Sequence, residues 1–275
     1  MKSFFQKSAS FCFLFLVLVY APLLKADGEI KRIHFSEVDS TQIYAKAHAA
    51  ELVNVPGQWA VVTADVQTNG LGHQGRKWVS SSPRNLYATF VTMYPRSKDH
   101  ELFHIIQISA LSVTKTLQEL GLNPGIKWVN DVLVNNKKIS GSLCEILPSK
   151  SKDYYYLFFG IGINVNMTQG ETILISPPAT SIFAETNQEI SQELVLKLLT
   201  SHLKSSVNQL LDKGFSELFQ EISGLLVYKG DLIEVELEPG STVRGKMIGI
   251  NEEGALLLEK NDQVIQIPKG RILRD

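Results

Sequence analysis

The chain has 275 residues with 27 basic and 28 acidic side chains, a formal net charge of −1 and an isoelectric point near 6.6. Its ordinary balance of hydrophobic and charged residues excludes a disordered chain, a collagen-like fibre and a coiled coil, and the near-neutral charge argues against a protein whose main ligand is nucleic-acid phosphate. Two cysteines, Cys12 and Cys144, exclude a disulfide scaffold and a multi-cysteine zinc module.

In chain order, the first 26 residues carry Lys2, Lys7 and Lys25 and no acid, so the remainder holds 24 basic against 28 acidic residues. Phe11 to Leu24 is an unbroken apolar run, shorter than the roughly 20 residues of a membrane-spanning helix and closer to the hydrophobic region of an export signal. The best cleavage site, after Ala26, places Leu24 where a small residue belongs. A start-site artefact and a packed N-terminal helix are the competing readings, and residues 1–28 are set apart as a leader.

Ile30 to Val38 predicts a strand, and Asp39-Ser40-Thr41 offers N-cap oxygens to a helix running to about Leu52. Trp59 to Asp65 suits a buried strand that delivers the chain into a loop containing Gly70, Gly72 and Gly75. A strand is expected over Asn85 to Met93, and helical spacing of apolar residues over Leu102 to Leu120, with Gly121 closing the helix. Ile126 to Glu145 reads as a hairpin turning at Asn135-Asn136, and Tyr154 to Asn166 as a β-prone central strand. An amphipathic helix follows over Gln192 to Leu211, with Leu194, Leu198, Val207 and Leu211 along one stripe. Beyond Gly224, short strands alternate with Pro239-Gly240, Glu253-Gly254 and Asn261-Asp262. The expected fold class is α+β: a mixed sheet with helices over residues 29–224, then a small all-β barrel or sandwich over 225–275.

Three segments are polar or glycine-rich where apolar sequence would be expected. In Gly70-x-Gly72-x-x-Gly75-Arg76-x-Trp78, glycines let backbone N–H groups approach an anion and Arg76 adds a forked, permanently charged donor. The loop runs toward Trp78 and another strand rather than opening a helix, which disfavours a dinucleotide-binding turn and leaves a surface turn as the alternative. Lys127 to Asp131 and Lys137 to Gly141 place a carboxylate and a cation on neighbouring strands, suited to Mg²⁺ and to phosphate charge or else to a surface ion pair. Gly160-Ile161-Gly162-Ile163-Asn164 interrupts a strand with two glycines, a sign of close approach by a ligand or another backbone. The nucleophile-elbow, P-loop and His-Glu-x-x-His motifs are missing. Cys144 reads as a core residue, and His34, His48, His100, His104 and His202 show no ligand spacing.

Taken in order, these segments resemble the biotin-protein ligase family, whose pattern joins Ser-Thr after the first strand, a Gly-Arg-Gly-Arg-x-Gly-Arg-x-Trp loop, Lys-Trp-Pro-Asn-Asp, Lys-x-x-Gly, Gly-Ile-Gly-Ile-Asn and a small C-terminal SH3-like barrel. The chain matches at Ser40-Thr41, Gly70 to Trp78, Lys127 to Asp131, Lys138 to Gly141, Gly160 to Asn164 and the β segment after Gly224. The resemblance implies a fold like that of biotin ligases and class II aminoacyl-tRNA synthetases. It also implies an ATP-dependent ligase that forms biotinyl-5'-AMP and passes biotin to a lysine of a biotin carboxyl carrier protein, with Mg²⁺. By the same resemblance, Ser40, Thr41, Gln42 and Gln67 hold the head of biotin and Trp78 walls its ring. Leu71, Gly72 and His73 close over the carboxylate and phosphate, and Lys138 and Gly141 complete the biotin site. Gly70, Gly75, Arg76, Asn130 and Asn164 hold ATP and the adenylate; Lys138, Asp131 and Arg76 are the catalytic set, and Asp131 is the Mg²⁺ ligand.

Leu71 and His73 stand where the family has arginines, and Val129 replaces the usual proline. At an ordinary pKa near 6.5, only about a quarter of His73 is charged at pH 7, so looser retention of the adenylate is expected as pH rises. Fewer than 30 residues precede the first strand, which implies a ligase without the helix-turn-helix domain of some relatives and no nucleic-acid partner. No stable membrane association is expected; ATP and carrier proteins imply a cytoplasmic location, and a homodimer is left open. The competing functions are a lipoate-protein ligase or octanoyltransferase and a non-catalytic binding protein of the same fold.

Overall fold

The computed structural model describes residues 30–273; the expected leader lies outside them. Chain order is β1 (Lys31–Val38), α1 (Thr41–Ala47), α2 (Ala49–Leu52), β2 (Trp59–Gln67), β3 (Leu86–Pro95), α3 (Ile105–Glu119), β4 (Gly125–Lys127), β5 (Asp131–Val134), β6 (Lys137–Pro148) and β7 (Tyr154–Ile163). Then come α4 (Gln169–Thr172), α5 (Ile182–Thr186), α6 (Gln192–Lys213) and α7 (Ser216–Leu225), before β8 (Leu232–Glu238), β9 (Ser241–Ile250), β10 (Leu256–Lys260), β11 (Gln263–Ile267) and β12 (Arg271–Ile272). The first seven strands form one mixed sheet in the order β1-β2-β3-β7-β6-β5-β4, parallel between β1 and β2 and antiparallel elsewhere.

Strand periodicity sorts β7 onto two faces. Leu157, Phe159, Ile161 and Ile163 join the larger core with α3, α6 and α7. Tyr156 and Phe158 point to the other face and pack with Ala45, Ala49 and Leu52 of α1 and α2. On that second face the next two positions are Gly160 and Gly162, paired with Thr89 and Tyr87 of β3. The apolar layer therefore stops where the glycines begin, leaving a hollow beside the N-terminus of α1. Buried α3 tolerates its hydroxyls because Ser112, Thr114 and Thr116 each donate to the carbonyl four residues earlier.

Four expectations need adjusting. The first helix stops at Ala47, where the His48 ring stacks on Tyr44 and its Nδ1 lies 3.0 Å from the Tyr44 carbonyl oxygen. Arg96–His104 is 3₁₀ helix, so α3 starts at Ile105. The first arm of the expected hairpin is two strands, β4 folding back on β5 with Lys127 opposite Asp131. The buried arc of α6 runs through Val195, Leu199, Leu203, Val207 and Leu210, while Leu194 is exposed; leucines at helical spacing line both arcs, and packing against α3 selects one. The turn at Asn135-Asn136 has positive φ at both residues, as a two-residue hairpin requires.

The last five strands form an antiparallel sheet in the order β11-β10-β9-β8-β12, consistent with an SH3-like fold, and no closed ring forms among the described residues. This sheet shares the main core through Ile233, Val235, Met247 and Leu256. It is also pinned to α3 and to the turn between β4 and β5 at one carbonyl: Gly254 O accepts from Gln107 Nε2 at 2.7 Å and from Trp128 Nε1 at 3.0 Å. No helix among the described residues is long and apolar enough to cross a membrane.

Candidate active site

The hollow beside α1 is a cavity of about 420 Å³ that crosses the ends of β2, β3, β6 and β7. Its inner end is neutral and hydrogen-bonding. Ser40 caps α1, its Oγ accepting from the Gln42 N–H at 3.2 Å, which leaves Thr41 and Gln42 on the first turn, buried and lining the cavity. Gln67 Oε1 accepts from the Thr41 N–H at 2.9 Å, so its amide NH₂ faces Ser80 Oγ, also at 2.9 Å.

The middle is walled by Trp78. A Cβ on Gly162 would lie 2.4 Å from the indole, and one on Gly141 would lie 3.0 Å from it, so both glycines are needed for the ring to lie flat on β6 and β7. The indole Nε1 is buried with no hydrogen-bond partner in the protein. Trp78 is delivered by a tight hairpin in the glycine loop: Gly72 N–H donates to Arg76 O at 2.7 Å, Trp78 N–H donates to Gly70 O at 3.0 Å, and His73–Gly75 forms a 3₁₀ turn at the tip.

The outer end is cationic. Lys138 Nζ and Asp131 Oδ1 are 2.6 Å apart, both largely buried, and Lys138 Nζ lies 5.1 Å from the Trp78 ring centroid. Asn130 Nδ2 donates to Ser142 O at 2.8 Å, which leaves its oxygen as an acceptor. Asn164 is fixed by donation from Nδ2 to Thr180 O at 2.9 Å. His73, Arg76, Lys127 and Arg271 add positive or titratable groups around the single carboxylate. Burial and the neighbouring Arg76 push the His73 imidazole below its ordinary value, so less of it is charged at pH 7 than the sequence alone implies. Burial and the nearby Arg271 lower Arg76 as well, from a value so high that it stays a cation.

Of the expected residues, Ser40, Thr41, Gln42, Gln67, Leu71, Gly72, His73, Arg76, Trp78, Asn130, Asp131, Lys138, Gly141 and Asn164 all line this one cavity. Gly70 and Gly75 do not. Gly70 is pressed against Ser80 Oγ and the Trp78 carbonyl, where a Cβ would lie 2.5 Å from each, and Gly75 is exposed with φ +74°. They shape the loop and are not among the lining residues. Sequence reasoning missed Thr89, Lys127 as a site residue, the Ile175–Pro177 segment and Arg271. Lys127 stood inside a recognised motif; Arg271 comes from β12 of the second sheet, and no local pattern marks it. Cys144 lies outside the cavity, its thiol pushed up to about 12 by burial and facing the Ile105 carbonyl. His73 is the one histidine among the lining residues.

Residues 36–164 match the model of the biotin/lipoate A/B protein ligase family, and residues 232–272 match the biotin protein ligase C-terminal domain. The chain belongs to the biotin protein ligase family. It is 27% identical over 237 residues to the bifunctional ligase/repressor BirA of Bacillus subtilis, covering 86% of this chain and 71% of that protein. It is 23% identical over 242 residues to a biotin–[acetyl-CoA-carboxylase] ligase of Mycobacterium tuberculosis, covering 86% of each. The biotin protein ligase from Aquifex aeolicus, solved in complex with biotin and ATP, superposes with a TM-score of 0.72 at 29% identity, covering 88% of this chain and 97% of that one.

Proposed function

We propose that this biotin protein ligase joins the carboxylate of biotin to AMP from ATP, releasing pyrophosphate, and then transfers the biotinyl group to a lysine amine of a biotin carboxyl carrier protein, releasing AMP. The observation that carries the reading is the polarity of the cavity: neutral donors and acceptors at Thr41, Gln42 and Gln67, a flat apolar wall at Trp78, and clustered cations at Arg76 and Lys138. A cyclic urea suits the first, an apolar ring and tail the second, and a carboxylate meeting a phosphate the third.

In the first step a carboxylate oxygen attacks the α-phosphorus as the bond to pyrophosphate breaks, and negative charge builds on the phosphate oxygens. Lys138 is the group placed to neutralise it. Its ammonium is held by Asp131 at 2.6 Å, so it is oriented before the nucleotide arrives. Asp131 and the free oxygen of Asn130 are the residues that would hold Mg²⁺ together with phosphate oxygens. One carboxylate plus substrate phosphates is a usual setting for that ion, which would supply further charge neutralisation. Among the described residues, no group of three or more His, Cys, Asp or Glu side chains could hold a metal by itself. The hairpin of Gly70 to Trp78 is the element that shields the mixed anhydride from water. The need for ATP and a carrier protein supports a cytoplasmic location.

The test is pyrophosphate release with ATP, Mg²⁺ and each of biotin, lipoate and octanoate. Dependence on biotin supports the reading; dependence on lipoate or octanoate assigns the chain to the other branch of its fold, and no turnover leaves a binding protein. Matching of the second sheet to the biotin protein ligase C-terminal domain favours biotin.

A further inference from the structure

Behind the neutral end of the cavity, on the side away from the ligand, α1 and β6 exchange an ion pair. Lys46 Nζ lies 2.7 Å from Glu145 Oε1, and the other carboxylate oxygen accepts from Gln42 Nε2 at 2.9 Å. Glu145 and Lys46 are half-buried and outside the cavity lining. Gln42 Oε1 accepts from Thr89 Oγ1 at 3.2 Å, and Thr89 Oγ1 lies 2.9 Å from Thr41 Oγ1. Thr41 Oγ1 also donates to Gln67 Oε1 at 3.2 Å.

Donor and acceptor counting gives this chain a direction. A carboxylate only accepts, so Glu145 forces the NH₂ of Gln42 toward itself and the amide oxygen toward Thr89. The amide oxygen also only accepts, so the Thr89 proton is committed to it. The one proton available between Thr89 and Thr41 then belongs to Thr41, shared between Thr89 Oγ1 at 2.9 Å and Gln67 Oε1 at 3.2 Å. With its proton spent, Thr41 can meet a ligand only through lone pairs. Gly160 holds the geometry in place, since a Cβ there would lie 2.7 Å from Gln42 Oε1.

We propose that Glu145, steadied by Lys46, is a positioning residue for substrate recognition: its carboxylate fixes the amide of Gln42 and hence the proton order through Thr89, so that Thr41 accepts a hydrogen bond from a ureido N–H of the substrate. The inference rests on the biotin reading above. Without the carboxylate the amide of Gln42 turns freely, Thr89 can turn its proton onto Thr41 and occupy a lone pair there, and a site built to receive an N–H loses its selectivity.

The test compares native protein, Glu145→Gln and Lys46→Met in biotin-dependent pyrophosphate release, with biotin and with its two ureido N-methyl derivatives, and checks folding by thermal unfolding. Glu145→Gln is expected to raise KM for biotin about tenfold with kcat within about twofold, the pattern of lost binding that is uniform along the reaction. It is also expected to lose most of the native discrimination against one of the N-methyl isomers, which a merely structural role would leave intact. Lys46→Met, which keeps the carboxylate but frees it to swing, is expected to raise KM about threefold. If Glu145→Gln does not fold, Lys46→Met decides. A folded Glu145→Gln with native KM and native discrimination overturns the proposal, as does a native KM in Lys46→Met when it decides. A native enzyme that turns over no biotin overturns the ligase reading and this inference with it.

Discussion

Gly162→Ala isolates the contact between β7 and the indole wall. The new Cβ would sit 2.4, 2.5 and 2.6 Å from three atoms of the Trp78 ring, where ordinary contact begins at 3.4 Å, so the ring must withdraw by about 1 Å. That displacement narrows the cavity and moves the face against which the Lys138 ammonium rests, 5.1 Å from the ring centroid. Misplacement on this scale costs on the order of 100-fold in rate, so kcat/KM for biotin is expected to fall about that far. Stability is expected to change little, because Gly162 has no positive φ and alanine restricts the unfolded chain, offsetting part of the strain. Gly224→Ala is the control. It lies in α7 with nothing within 4 Å of the new methyl, and should raise stability by up to about 1 kcal/mol with native kinetics. Gly162→Ala and Trp78→Leu act on one contact and should be non-additive. A Gly162→Ala enzyme with kcat/KM within twofold of native would refute the account of the wall.

Other expectations follow from single contacts. The lowered pKa of His73 means that its charge is already lost as pH rises to neutrality and is regained only below about pH 6.5. Adenylate release from the native protein should therefore slow as pH falls through that range, whereas His73→Arg should release it slowly and evenly from pH 6 to 8; equal rates for the two proteins across the range would sink the idea. Arg271→Ala removes the contribution of the second sheet to the cationic end and is expected to raise KM for ATP several-fold with KM for biotin unchanged, measured by varying each substrate in turn. Trp128→Phe deletes one of the two donors to Gly254 O; the loss is about 1 kcal/mol, seen as a fall in Tm of about 2–4 °C.

Much of this molecule is legible in its sequence because the strongest signals are local. Ser40 reads as an N-cap since a hydroxyl just before a helical segment satisfies a backbone donor, and that contact is 3.2 Å long. The two glycines in β7 announced a close approach, yet what approaches, Gln42 at one and Trp78 at the other, comes from segments far away in sequence. The second cation-bearing sheet illustrates the limit. Arg271 sits on a two-residue strand among polar turns, and only its pairing with β8, opposite Glu236, carries it to the cavity. The α6 stripe is right at Val207 and wrong at the exposed Leu194 for a related reason, since two arcs of leucine satisfy the same period and a neighbouring helix chooses between them. The order of protons from Glu145 to Thr41 has no sequence signature, because it depends on which atom of one amide faces a carboxylate.

The most direct measurement of the central claim is single-turnover formation of biotinyl-5'-AMP from α-labelled ATP and biotin on the native protein and on Lys138→Ala. The expected result is stoichiometric, biotin-dependent adenylate on the native protein and a rate lower by about 100- to 1,000-fold on the variant, the usual cost of removing one preorganised charge-stabilising group. Adenylate that forms without biotin, or at the native rate on Lys138→Ala, would contradict it.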